Sequence, residues 1–125
     1  DHDRQLDDRQ IAALIERGGV IGTAFDDWML SPLWDPQAQD NTGITLETVV
    51  DHIDHVCQLA GSAAHAAIGT DLDGGFGKEQ SPSDMDTIAD LRKIPAILEK
   101  RGYSGDDINA IMHANWIGLL RRSWG

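Results

Sequence analysis

The chain has 125 residues, with 10 Lys and Arg against 21 Asp and Glu, a formal charge of −11 with histidine neutral. That balance excludes a binder of duplex nucleic acid, whose phosphates need clustered cations, while 41% hydrophobic and 25% charged residues are enough to build a core. The longest apolar runs, 11–15 and 18–25, are too short to cross a bilayer, and no charged start followed by an apolar stretch marks a secretion signal.

The first predicted element is an amphipathic helix from about Leu6, with Ile11, Leu14 and Ile15 at helical spacing, Asp7 and Asp8 early, and a stop at Gly18 and Gly19. Residues 20–25 are β-branched and small without alternation, the pattern of a strand buried on both faces and therefore parallel. Residues 26–44, with Pro32, Pro36, Gly43, several aspartates and two tryptophans, read as a long irregular excursion. A second helix starts near Thr45, buries a stripe of Leu46, Val49, Val50, Ile53 and Cys57, and ends at Gly61. Residues 66–70 repeat the buried-strand pattern and empty into the acidic, glycine-rich loop 71–77. Pro95 opens a helix to about Arg101, and Ser104 with Asp107 forms a capping box for a last helix. On that helix Ile108, Ile111, Met112, Trp116 and Leu119 share a face.

A crossover of about forty residues between the strands suits a right-handed βαβ unit. Two parallel strands under four helices leave open sheet edges and unfilled helix faces, so the pattern predicts one piece of a larger α/β domain.

Asp71 follows the second strand directly, where α/β barrels keep their active sites, at the C-terminal rim. A local turn cap explains the same residue equally well. Asp71 and Asp73 followed by glycine resemble the start of a calcium loop, but Gly75 and Pro82 stand where further ligands are required. His52, His55, His65 and His113 lack Glu or Cys partners at metal-site offsets and read as solvated or structural. Cys57, the single cysteine, lies on an apolar stripe and reads as core, leaving the compartment open between cytoplasm and periplasm. Arg4, the only cation in the opening cluster Asp1, His2, Asp3, Arg4, Gln5, is either part of a flexible end or a rim guanidinium able to grip a carboxylate bidentately. Trp28, Leu30, Leu33 and Trp34 line a pocket, form an oligomer contact or are simply buried.

Five segments taken in order, Arg4 to Asp8, Glu16 to Gly22, Thr45 to His55, Ile68 to Gly75 and Arg101 to Tyr103, resemble the membrane (renal) dipeptidase family of zinc peptidases across essentially the whole chain. The resemblance implies an α/β fold, the C-terminal part of a TIM (β/α)8 barrel of the metal-dependent hydrolase type. In that reading residues 1–125 are a C-terminal segment running from about the sixth helix to the last helices, with strands seven and eight. It implies two zinc ions bridging a water that attacks the peptide bond of a dipeptide. Asp71 matches the family's acid at the end of the eighth strand, near the bridging water and the substrate amine. Arg4 matches the arginine that binds the substrate's C-terminal carboxylate, and Gln5 replaces the asparagine that usually follows it. The family's zinc ligands, a His-x-Asp pair, a bridging Glu and two histidines, all precede Arg4 and map onto no residue here. The implied partners are therefore the N-terminal part of the same barrel, a dipeptide and, for the assembled enzyme, a second copy in a homodimer. The rival expectation is a non-catalytic barrel homologue acting as a binding or scaffold protein.

Overall fold

The computed structural model describes residues 4–125. Asp1, His2 and Asp3 of the opening polar cluster lie outside the described residues. Helix α1 (Asp8–Glu16) starts at a reciprocal capping box in which Asp7 accepts from the Gln10 amide and the Gln10 side chain accepts from the Asp7 amide. Strand β1 (Ile21–Thr23) follows and pairs in parallel with strand β2 (Ala66–Ile68), Ile21 opposite Ala66 and Thr23 opposite Ile68.

Between the strands runs α3 (Leu46–Ala60), capped by Thr45 and closed by Gly61 at φ +66, a left-handed conformation glycine adopts without penalty. Its stripe of Leu46, Val49, Val50, Ile53, Val56 and Cys57 is almost wholly removed from solvent. The five aliphatic side chains represent on the order of 10 kcal/mol of gross hydrophobic stabilisation. Ala66 belongs to the same core, and Ile21 and Ile68 pack against it, so α3 covers one face of the strand pair. Helix α4 (Ile94–Lys100), with Pro95 in its first turn, buries Ile94 and Leu98. It contacts α3 and is preceded by a 3-10 turn, Ile88–Lys93, opened by a Thr87 and Asp90 capping box. No helix among the described residues is long and apolar enough to cross a membrane.

The last helical stretch begins at Ser104, whose hydroxyl accepts from the Asp107 amide, and runs through α5 (Gly105–Asn109), a π turn (Ala110–Ala114) and α6 (Asn115–Trp124). The π turn rotates the residues after it relative to an unbroken α-helix. Asn115 and Trp116 thereby meet β2. Ile21 N–H donates to the His65 carbonyl and Gly69 N–H to the Thr23 carbonyl, and by the parallel alternation the Ala66 and Ile68 carbonyls point away from β1. Those two carbonyls are occupied by side chains: Asn115 Nδ2 donates to Ala63 O at 2.7 Å and Ala66 O at 2.8 Å, and Trp116 Nε1 to Ile68 O at 2.8 Å. The Trp116 ring continues to Gly22, where an added Cβ would stand 3.0 Å from Trp116 Cζ2 and 3.1 Å from Gly69 Cα.

Two expectations are corrected. The strands are three residues each, shorter than the runs 20–25 and 66–70, because the pairing turns irregular where Phe25 N–H reaches past Gly69 to the Thr70 carbonyl. Buried-strand character holds for Ala66 and Ala67 but not for β1, whose residues are half-buried because no third strand flanks it among the described residues. The sheet margin is thus open beside β1, while the β2 carbonyls are capped.

Candidate functional site

Both strands end toward the same side, tied by the Phe25 N–H to Thr70 O bond of 3.0 Å. The residues that follow, Asp26 and Asp27 after β1 and Asp71 after β2, therefore issue from neighbouring strand ends. Asp71 is exposed and holds φ +58, a left-handed conformation that Asp tolerates better than most residues but that still stores strain. Its carbonyl accepts from Gly74 N–H at 2.8 Å, and a Cβ at Gly74 would stand 2.8 Å from both Asp71 O and Asp71 Oδ1. Only glycine lets the loop fold back so closely on this carboxylate. The carboxylate itself carries no hydrogen bond or ion pair among the described residues.

Arg4 is exposed and lies over Trp28, its Cζ 5.4 Å from the ring centroid, a cation–π distance. Gln5 Nε2 donates to Met29 O at 3.0 Å, fastening the same segment to helix α2 (Asp27–Leu30). Arg4 borders a cleft of about 190 Å³ with Gln5, Ile21, Thr23, Met29 and His52. Asp71 does not line it, so the two proposed site residues are placed beside different strand ends and are not brought into one pocket. Of the apolar excursion, Leu30 is buried, Trp34 packs on the core and Leu33 is 89% exposed.

Sequence reasoning missed α2 and its acids. Asp26 caps Trp28 N–H at 3.3 Å and also accepts from Gln80 Nε2 at 2.7 Å, linking the excursion to the loop after β2. Asp27 has no exposed surface, and neither carboxylate oxygen has a hydrogen-bond partner. Burial, and then the Asp26 charge, push its pKa up to about 7. The available signal was positional: an Asp pair directly after the first strand occupies the rim place that Asp71 occupies after the second.

Three of the histidines are engaged separately. His52 Nε2 hydrogen-bonds Leu30 O at 2.9 Å, His55 Nε2 meets Asp8 at 2.8 Å, and His65 Nδ1 meets Gly19 O at 2.7 Å. Cys57 is buried, and burial pushes its thiol above its usual pKa. Among the described residues no group of three or more His, Cys, Asp or Glu is arranged to hold a metal ion. The described residues do not fit a metal centre, including the calcium loop suggested by Asp71 and Asp73.

Comparison with known proteins agrees with the segment order. The sequence matches the family model described as Membrane dipeptidase (Peptidase family M19) over residues 1–123. It is 31% identical over 123 residues to Dipeptidase tcpJ of Claviceps purpurea (strain 20.1), covering 96% of this chain and 26% of that protein. Two solved structures are similar. One is dipeptidase AC, a metallopeptidase of family M19, with TM-score 0.80 and 31% identity over 98% of this chain and 33% of that one. The other is a metallopeptidase from Rhodobacter sphaeroides liganded with a phosphinate mimic of the dipeptide L-Ala-D-Ala, with TM-score 0.79 and 29% identity over 97% of this chain and 32% of that one. The chain spans between 26% and 41% of the length of the curated relatives it matches. With the parallel βαβ unit and the rim position of Asp71, these matches show that the chain belongs to the membrane dipeptidase family, peptidase family M19, and has the α/β fold of the C-terminal part of its (β/α)8 barrel.

Proposed function

We propose that residues 1–125 supply the C-terminal segment of a single (β/α)8 domain, from about the sixth helix through strands seven and eight to the last helices, and that the assembled domain hydrolyses dipeptides. The observation that carries this reading is Asp71: an exposed carboxylate held at φ +58 directly after a parallel strand, with Gly74 pressed against it. Strain retained at a strand's C-terminal end, where barrel enzymes act, points to a function for the residue so held.

In this reading Asp71 holds a proton during attack on the peptide bond and faces the substrate amine. Arg4 receives the substrate's C-terminal carboxylate, for which a planar guanidinium offers two parallel N–H donors. The reading assigns two zinc ions to the assembled enzyme with all ligands outside this chain, and derives no step at the metals from the residues described here.

In the assembled protein, Asp71→Ala is expected to lower kcat by at least about 100-fold, the scale of a lost proton-transfer group. Arg4→Ala is expected to raise KM mainly for dipeptides with a free C-terminal carboxylate and to leave their C-terminal amides nearly unchanged. Equal loss on acid and amide would remove Arg4 from the site, and an active Asp71→Ala would remove Asp71.

A further inference from the structure

Four of the ten Lys and Arg side chains pair with a carboxylate among the described residues. Arg101 pairs with Glu47 and Asp51, each at 2.7 Å, Lys93 with Asp90 at 2.9 Å, and Lys78 with Asp86. Arg4 forms no ion pair among the described residues and instead stacks on Trp28. A cation over an indole face at this distance is attracted by the ring without spending an N–H group on an ion pair, so its donors stay available to a carboxylate.

We propose that Trp28 is a positioning residue for Arg4, orienting the guanidinium toward the C-terminal carboxylate of a dipeptide. The inference rests on the role of Arg4 proposed above and adds to it a means of holding that side chain, which is otherwise exposed. Helix α2, which carries Trp28, is anchored at three backbone points. Asp26 accepts from the Trp28 amide at 3.3 Å while accepting from Gln80 Nε2 at 2.7 Å. Gln5 donates to Met29 O at 3.0 Å. His52 hydrogen-bonds Leu30 O at 2.9 Å from α3. Gln80 lies in the loop that begins at Asp71, so the bonds from Gln80 through Asp26 to Trp28 join the acid's loop to the platform under Arg4.

The test uses the assembled protein, with a dipeptide as substrate and its C-terminal amide as substrate or competitive inhibitor. Trp28→Leu removes the ring face and is expected to raise KM for the free acid by about two- to five-fold, the scale of an exposed cation–π contact. It should leave kcat within about two-fold and the amide unaffected. Trp28→Phe keeps a ring face and should restore KM, which a merely structural role does not require. A selective Arg4→Ala combined with an inert Trp28→Leu, or with one acting equally on acid and amide, overturns the role of Trp28 alone. An unselective Arg4→Ala removes the reading of Arg4 and this inference together.

Discussion

Asp27 shows at the scale of one side chain how burial sets protonation. Its oxygens have no donor, Asp26 adds a like charge beside it, and its pKa stands at about 7 instead of 3.8. The folded chain therefore binds more protons than the unfolded chain between about pH 4 and 7, and stability falls as pH rises through that interval. The full displacement corresponds to at most about 4 kcal/mol above pH 7, and to nothing below about pH 4. Asp27→Asn removes the titration. Urea unfolding at pH 5 and pH 8 should find the variant close to the parent at the lower pH and more stable than it at the higher. A variant less stable at pH 8 would mean that the ionised carboxylate has a partner. Asp71 meets the opposite environment, open to solvent on a backbone at φ +58.

At the scale of elements, the closure of β2 by the last helix depends on two side chains. Trp116→Phe removes both the Nε1 donor to Ile68 O and the part of the indole that reaches Gly22, and should cost about 1–3 kcal/mol, read as a lowered urea midpoint by far-UV circular dichroism. Asn115→Leu leaves the Ala63 and Ala66 carbonyls without their donor and should cost about 1–3 kcal/mol. Unchanged midpoints would show that water serves those carbonyls equally well. Periodicity made α1, α3 and the last helix legible, since Ile11, the α3 stripe and Ile111 are all buried. The capping residues Asp7, Thr45 and Ser104 and the glycine stop at Gly61 fixed their ends. Helix α2 was not legible because four residues, Asp27–Leu30, are too short to show a period, and its cap at Asp26 resembles any Asp in a turn. The strands read too long because small apolar residues continue past the point where pairing becomes irregular at Gly69. In the candidate site the placement of Asp71 after a strand was readable, but the stacking of Arg4 on Trp28 joins residues whose contact no local spacing encodes. The burial of Asp27 depends on how the excursion folds over it.

For the whole molecule, the parallel pair β1 and β2 is covered on one face by α3, yet β1 has no further strand beside it among the described residues. Ile117, Leu120 and Trp124 on α6 and Ile88 before α4 remain exposed apolar groups. A barrel distributes such edges and faces among neighbouring units, and a complete one takes about 250 residues. Family membership over residues 1–123 and a match to about a third of each solved relative fit one account. In the function proposed above, this chain contributes substrate recognition and a proton-handling acid, and the remaining units contribute the metals. The most direct measurement is zinc-supplemented dipeptide hydrolysis by this chain alone, by a polypeptide supplying the remaining barrel units alone, and by the two together. Activity is expected only when both are present, and should be lost when this chain carries Asp71→Ala. Hydrolysis by this chain alone, or full activity of the mixture with Asp71→Ala, would contradict it.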